Sequence, residues 1–108
     1  MRKRIGSRLY DTDTAKKIIT KCSAYGKSDN RYYEETLYRK RTGEFFLYGE
    51  GNADSKYYFP YPGGGQQPGC DIVPLSFAEA KEWYIEQLND PWGEGEQAQY
   101  QELFETNQ

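Results

Sequence analysis

A chain of 108 residues has room for one domain with a single core, and composition makes that core unusual, because valine, isoleucine and leucine total 12 while tyrosine, phenylalanine and tryptophan total 18. Tyrosine must do much of the packing, its ring buried and its hydroxyl kept at the rim where it finds a partner. A formal charge of −3 argues against a uniformly basic nucleic-acid binder, and two cysteines 48 positions apart with no histidine exclude a structural zinc site.

No segment approaches the ~20 apolar residues of a membrane span. The basic start Met1-Arg2-Lys3-Arg4 lacks the apolar run of a signal peptide, so a cytoplasmic protein is expected, with Cys22 and Cys70 as reduced thiols, buried or half-buried. Charge is uneven along the chain. Residues 1–70 carry 13 Lys and Arg against 8 Asp and Glu, whereas beyond them Lys81 stands alone against nine acids. Such asymmetry marks either an interaction surface or a solvated helix face.

Residues 1–8, basic and poor in apolar groups, read as a loose N-terminus in which Ile5 or Leu9 adds at most an edge pairing. The cluster Asp11-Thr12-Asp13-Thr14 carries turn and cap chemistry. Alternation and β-branching over Ala15–Tyr25 predict a strand, and Gly26–Arg31 a polar loop. Gly26-Lys27-Ser28 imitates the end of a phosphate-binding loop, but Lys21 stands where its first glycine is required.

Tyr32–Tyr38 and Phe45–Tyr48 flank a short basic segment ending in Thr42-Gly43, the composition of a β-hairpin at the centre of an antiparallel sheet. Ser55–Phe59 reads as a further short strand. Pro60–Gly69, ten residues without an aliphatic side chain, reads as a long mobile loop, either functional or a simple crossing. Cys70–Leu75 is the last strand, with Pro74 placing it at an edge or marking the strand end. Ser76 and Glu79 form a capping box that opens a helix whose stripe Phe77, Ala80, Lys81, Tyr84, Ile85, Leu88 covers the hairpin, with Trp83 on a flank. Residues 94–105 form a second short helix presenting Tyr100, Leu103 and Phe104, which either packs back or awaits a partner.

The expected architecture is therefore one α+β domain spanning residues 1–108: a twisted antiparallel sheet of four to five strands, one amphipathic helix on a face, and a short acidic C-terminal helix within a helical part at 76–105.

Catalytic chemistry is hard to assemble. With no histidine and no activating partner for either cysteine, the expectation is a protein that is not an enzyme and needs neither metal nor cofactor. A metal-dependent nuclease would have to use Glu35, Glu50 and Lys56, the one set of acids with a lysine that the pattern offers. A small RNA- or DNA-binding module is the more serious alternative. It would use Arg39, Lys40 and Arg41 at the hairpin tip for phosphates, with Tyr38 and Tyr48 as stacking rings.

The segments Tyr10–Ala15, Tyr33–Arg39, Gly43–Gly51, Ser55–Tyr57 and Ile72–Ser76, followed by Glu79-Ala80 and Glu82-Trp83, resemble in order a family of small proteins of phages, plasmids and integrative elements of Gram-positive bacteria. The resemblance runs from Tyr10 to Phe104 and departs from the family pattern between Phe59 and Gly69. Related domains occur among anti-CRISPR inhibitors. The resemblance thus implies a non-enzymatic protein that binds and inhibits a host nucleic-acid-processing complex, its partner a protein or ribonucleoprotein such as a Cas nuclease complex. On that expectation Glu79, Glu82, Glu86, Asp90, Glu94, Glu96, Glu102 and Glu105 stand in for phosphates against a basic channel.

Overall fold

The computed structural model describes residues 1–87 and 94–105. Its centre is a four-stranded antiparallel sheet ordered β3-β4-β5-β8, formed by β3 (Lys16–Cys22), β4 (Tyr33–Arg39), β5 (Phe45–Gly51) and β8 (Gly69–Leu75). The β4–β5 hairpin is in register with Leu37 opposite Leu47, closed by a loop in which the Lys40 and Gly43 amides donate to Glu44 and Lys40 carbonyls. β8 lies at an edge, where the missing amide proton of Pro74 leaves no gap in the sheet interior.

Alternation along β4 and β5 sends two apolar sets to opposite faces. Leu37, Phe45 and Leu47 meet the helical layer, α1 (Phe77–Gln87), α2 (Glu94–Tyr100) and a π-helical turn Gln101–Glu105, which contributes Ala80, Trp83, Tyr84, Leu103 and Phe104. Phe104 is the hub of this cluster, its ring 5.4 to 5.7 Å from those of Phe45, Phe77, Tyr84 and Tyr100. Phe46 and Ile72 face the other way and are capped by Tyr10.

Tyr10 belongs to a hairpin of β1 (Arg2–Ile5) and β2 (Arg8–Asp11), so the expectation of a loose N-terminus is corrected. The physical reason is the ring of Tyr10, which packs edge-on against Phe46 at 5.4 Å and anchors an otherwise polar segment. Helices on one face of the sheet and a basic hairpin on the other give a thin plate with extents of 50 × 37 × 21 Å. Its radius of gyration, 15.1 Å, exceeds the ~13 Å of a compact domain of this length, so surface is large relative to core.

α1 begins as predicted: the Glu79 amide donates to Ser76 Oγ at 3.1 Å, and the Ser76 amide donates to Glu79 Oε1 at 2.8 Å. Its buried stripe is rotated from expectation. Trp83 is buried, whereas Phe77 and Ile85 are about half exposed, and Leu88 falls outside the described residues. The second helix packs back on the core through Leu103 and Phe104, with the Gln99 side chain donating to the Ile18 carbonyl of β3.

Two further expectations are corrected. Ser55–Tyr58 is a turn, not a strand, because Ser55 Oγ donates to the Asn52 carbonyl and accepts from the Tyr57 amide. The Pro/Gly segment is not a bare loop but a miniature hairpin, β6 (Phe59–Pro60) with β7 (Gln66–Gln67). Its reversal is made by Gly63, Gly64 and Gly65 at φ of +86°, +119° and +87°, a conformation that other residues rarely adopt.

Candidate interaction surfaces

The predicted acidic set lies mainly on the helical layer. Glu79, Glu82 and Glu86 follow the i, i+3, i+7 spacing that puts them on one side of α1, and all three are exposed. Glu102 and Glu105 are exposed on the π-helical turn, while Glu96 is half-buried. Among the described residues, Glu82, Glu86, Glu102 and Glu105 take part in no ion pair. Asp90 and the side chain of Glu94 lie outside the described residues.

The alternative set is divided by the fold. Arg39, Lys40 and Arg41 do gather at the hairpin tip, where the Arg39 guanidinium lies 5.1 Å from the Phe45 ring centroid and the Lys40 ammonium 4.6 Å from that of Tyr10. Tyr38 is spent on packing, its ring stacked on Phe46 at 5.2 Å and 7° between planes. Tyr48 lines a different depression, with Glu34, Glu50 and Tyr32, where its phenol is pushed up to about 12 by burial and by the Glu50 charge. Tyr48 therefore lies apart from the basic tip, and one face of the half-buried Tyr38 ring is taken by Phe46.

The residues proposed for a metal-dependent nuclease do not converge. Glu50 pairs across the sheet with Glu34, the neighbour of Glu35 on the opposite face. Glu35 itself is 2% exposed and fully engaged: Oε2 accepts from the Tyr57 hydroxyl at 2.6 Å and the Lys56 ammonium at 2.7 Å, and Oε1 from Trp83 Nε1 at 2.9 Å. Burial pushes its carboxyl up, but the bonds from Lys56, Trp83 and Tyr57 outweigh that and hold it below the ordinary range. Burial, then the bond to Glu35, drives the Tyr57 phenol upward. Among the described residues no group of three or more Cys, Asp or Glu could hold a metal ion.

This Glu35 cluster was missed by sequence reasoning, which saw a glutamate on a half-polar strand. Its one sequence signal is Gly49, opposite Glu35 on β5. A Cβ there would lie 1.9 Å from Tyr57 Cζ, so glycine alone admits the ring to the carboxylate. The two cysteines are exposed rather than buried, each at an edge strand of the sheet.

Sequence reasoning also missed what surrounds the tip. Two adjoining depressions, about 500 and 200 Å³, share Thr14, Lys40, Arg41 and Thr42; the larger adds Lys16 and Arg39. Lys16 comes from β3, where it stands directly opposite Arg39.

No family model matches the chain, and no curated protein and no solved structure does. Among the described residues no helix is long and apolar enough to cross a membrane.

Proposed function

We propose that this protein is a non-enzymatic binding protein whose acidic helical layer occupies a cationic, nucleic-acid-binding surface of a host complex and so inhibits it. The observation that carries this reading is the exposed acidic side of α1, Glu79, Glu82 and Glu86, joined by Glu102 and Glu105 on the π-helical turn, with Glu82, Glu86, Glu102 and Glu105 engaged in no ion pair among the described residues. Carboxylates left without counter-charges on a supported helix are available to lysines and arginines of a partner, where opposed potentials speed encounter and fix orientation. The resemblance to mobile-element proteins with anti-CRISPR relatives makes a guide-loaded Cas nuclease the first partner to test.

The test is target-DNA cleavage by such a nuclease with this protein titrated in. Inhibition is expected near stoichiometric concentration, weakening steeply with ionic strength and lost when Glu82 and Glu86 are both changed to lysine. Inhibition that survives both high salt and charge reversal would refute acidic mimicry, and an unaffected nuclease would remove that partner.

A further inference from the structure

The geometry points to a second, separate site: the groove beneath the β4–β5 tip binds the phosphates of an extended polyanion, whether a single-stranded nucleic-acid backbone or a free polyphosphate. Four cations line it, Lys16, Arg39, Lys40 and Arg41, together with the hydroxyl-bearing Thr14 and Thr42. Lys16 and Arg39 face each other across the β3–β4 ladder. Like charges directly opposite on neighbouring strands destabilise a sheet, and a bound anion relieves that repulsion.

The protein's own acids do not. Of the 17 Asp and Glu in the chain, those that form ion pairs among the described residues engage Lys3, Arg8, Arg31 and Lys56, and none engages a cation of the groove. Two acids lie near the tip. Glu44 pairs with Arg8 and accepts from the Thr42 hydroxyl, and Asp11, which lines the smaller depression, accepts from the Asp13 amide. Arg39 and Lys40 rest against aromatic faces and form no ion pair, and the Glu44 charge acts on Lys40 only from beyond ion-pair distance.

The shape favours an extended ligand. The two depressions meet along Lys40, Arg41 and Thr42, so phosphates a few ångströms apart fit on either side of the loop better than one compact ion would. No aromatic residue lines either depression, so recognition rests on phosphate and is indifferent to sequence.

The experiment is fluorescence anisotropy with the full chain and a fluorescein-labelled single-stranded 12-nucleotide RNA, with sodium tripolyphosphate as a second probe by calorimetry. Three to four phosphate contacts predict that RNA affinity falls about 20- to 50-fold between 50 and 200 mM salt. Lys16→Glu with Arg41→Glu, both at exposed positions, should abolish binding while leaving the circular dichroism spectrum and melting temperature in place. Lys27→Glu, in the 26–31 loop, should bind as the parent does. Binding of RNA alone assigns the ligand as a phosphodiester backbone, and binding of tripolyphosphate alone as a free polyphosphate. Failure of both probes, or binding indifferent to the double substitution, overturns the proposal. Because Glu82 and Glu86 are untouched, the outcome is independent of the inhibition assay.

Discussion

Replacing Glu35 with alanine is expected to be among the most damaging single substitutions in this protein. The carboxylate joins three parts of the chain that are distant in sequence: β4, the turn bearing Lys56 and Tyr57, and α1 through Trp83. Its loss leaves the Trp83 Nε1–H and the Tyr57 hydroxyl without an acceptor in a buried site, at about 1 to 3 kcal/mol each. Lys56, with its side chain 55% exposed, returns to water at little cost. The expected destabilisation is about 4 kcal/mol, a large share of the 5–15 kcal/mol that holds a domain of this size folded.

Two further variants separate hydrogen bonding from charge. Glu35→Gln keeps the volume and one acceptor and should cost about 2 kcal/mol. Lys56→Ala keeps both buried bonds and should cost about 1 kcal/mol, because the ion pair is open to solvent on one side. Urea unfolding followed by circular dichroism reads all three, with the midpoint lowest for alanine, then glutamine, then the lysine variant. If Lys56→Ala were as damaging as Glu35→Ala, the carboxylate would act as half of an ion pair and not as a buried acceptor. A cost for Glu35→Ala below about 1 kcal/mol would be equally fatal.

Gly49→Ala drives the Tyr57 ring out of its seat and should cost about 3 kcal/mol, most of it recovered in a Tyr57→Ala background, as a double-mutant cycle by urea unfolding would reveal. Phe104→Ala empties the aromatic hub and should cost about 3 to 5 kcal/mol, read as a lower melting temperature. Ser76→Ala removes the side-chain half of the α1 capping box and should cost about 1 kcal/mol, with Ser76→Asp close to neutral. For alkaline pH the sign follows from phenols raised above 10 in the folded state, those of Tyr32, Tyr38, Tyr48, Tyr57 and Tyr84. Their stabilisation is intact below pH 10 and lost as pH climbs past it, so the urea midpoint should fall steeply above that value. At the acid end Glu35, depressed below 4.5, gives stability that is intact above that value and lost as pH drops below it, a loss that Glu35→Gln should abolish.

The strands that carry the sheet were legible because each has a period its neighbours reinforce: Tyr33–Arg39 and Phe45–Gly51 alternate, and the Thr42-Gly43 turn sets their register. The α1 cap was legible too, since Ser76 and Glu79 interact across three residues. What sequence pattern concealed depended on single contacts. One tyrosine, Tyr10, turns a polar N-terminus into a covering hairpin, and three glycines at positive φ turn a loop into β6–β7. Candidate surfaces were half legible. The acids of α1 follow from helical spacing, but Lys16 reaches the basic tip only through the pairing of β3 with β4, and the occupation of Tyr38 by Phe46 is a matter of packing.

Opposite charges within one small domain ordinarily find each other, and four pairs here do, but two sets stay apart. The cations at the tip and the acids Glu82, Glu86, Glu102 and Glu105 are all uninvolved in ion pairs among the described residues, although one chain carries both sets. The sheet explains how. Its strands are stiff, their registers are fixed by buried side chains, and the groups are mounted on separate elements: the tip on β3 and β4, the acids on α1 and the π-helical turn. Keeping both uncompensated costs stability through repulsion within each set. A net charge of −3 therefore describes neither surface, because it sums a cationic tip and an acidic helical layer.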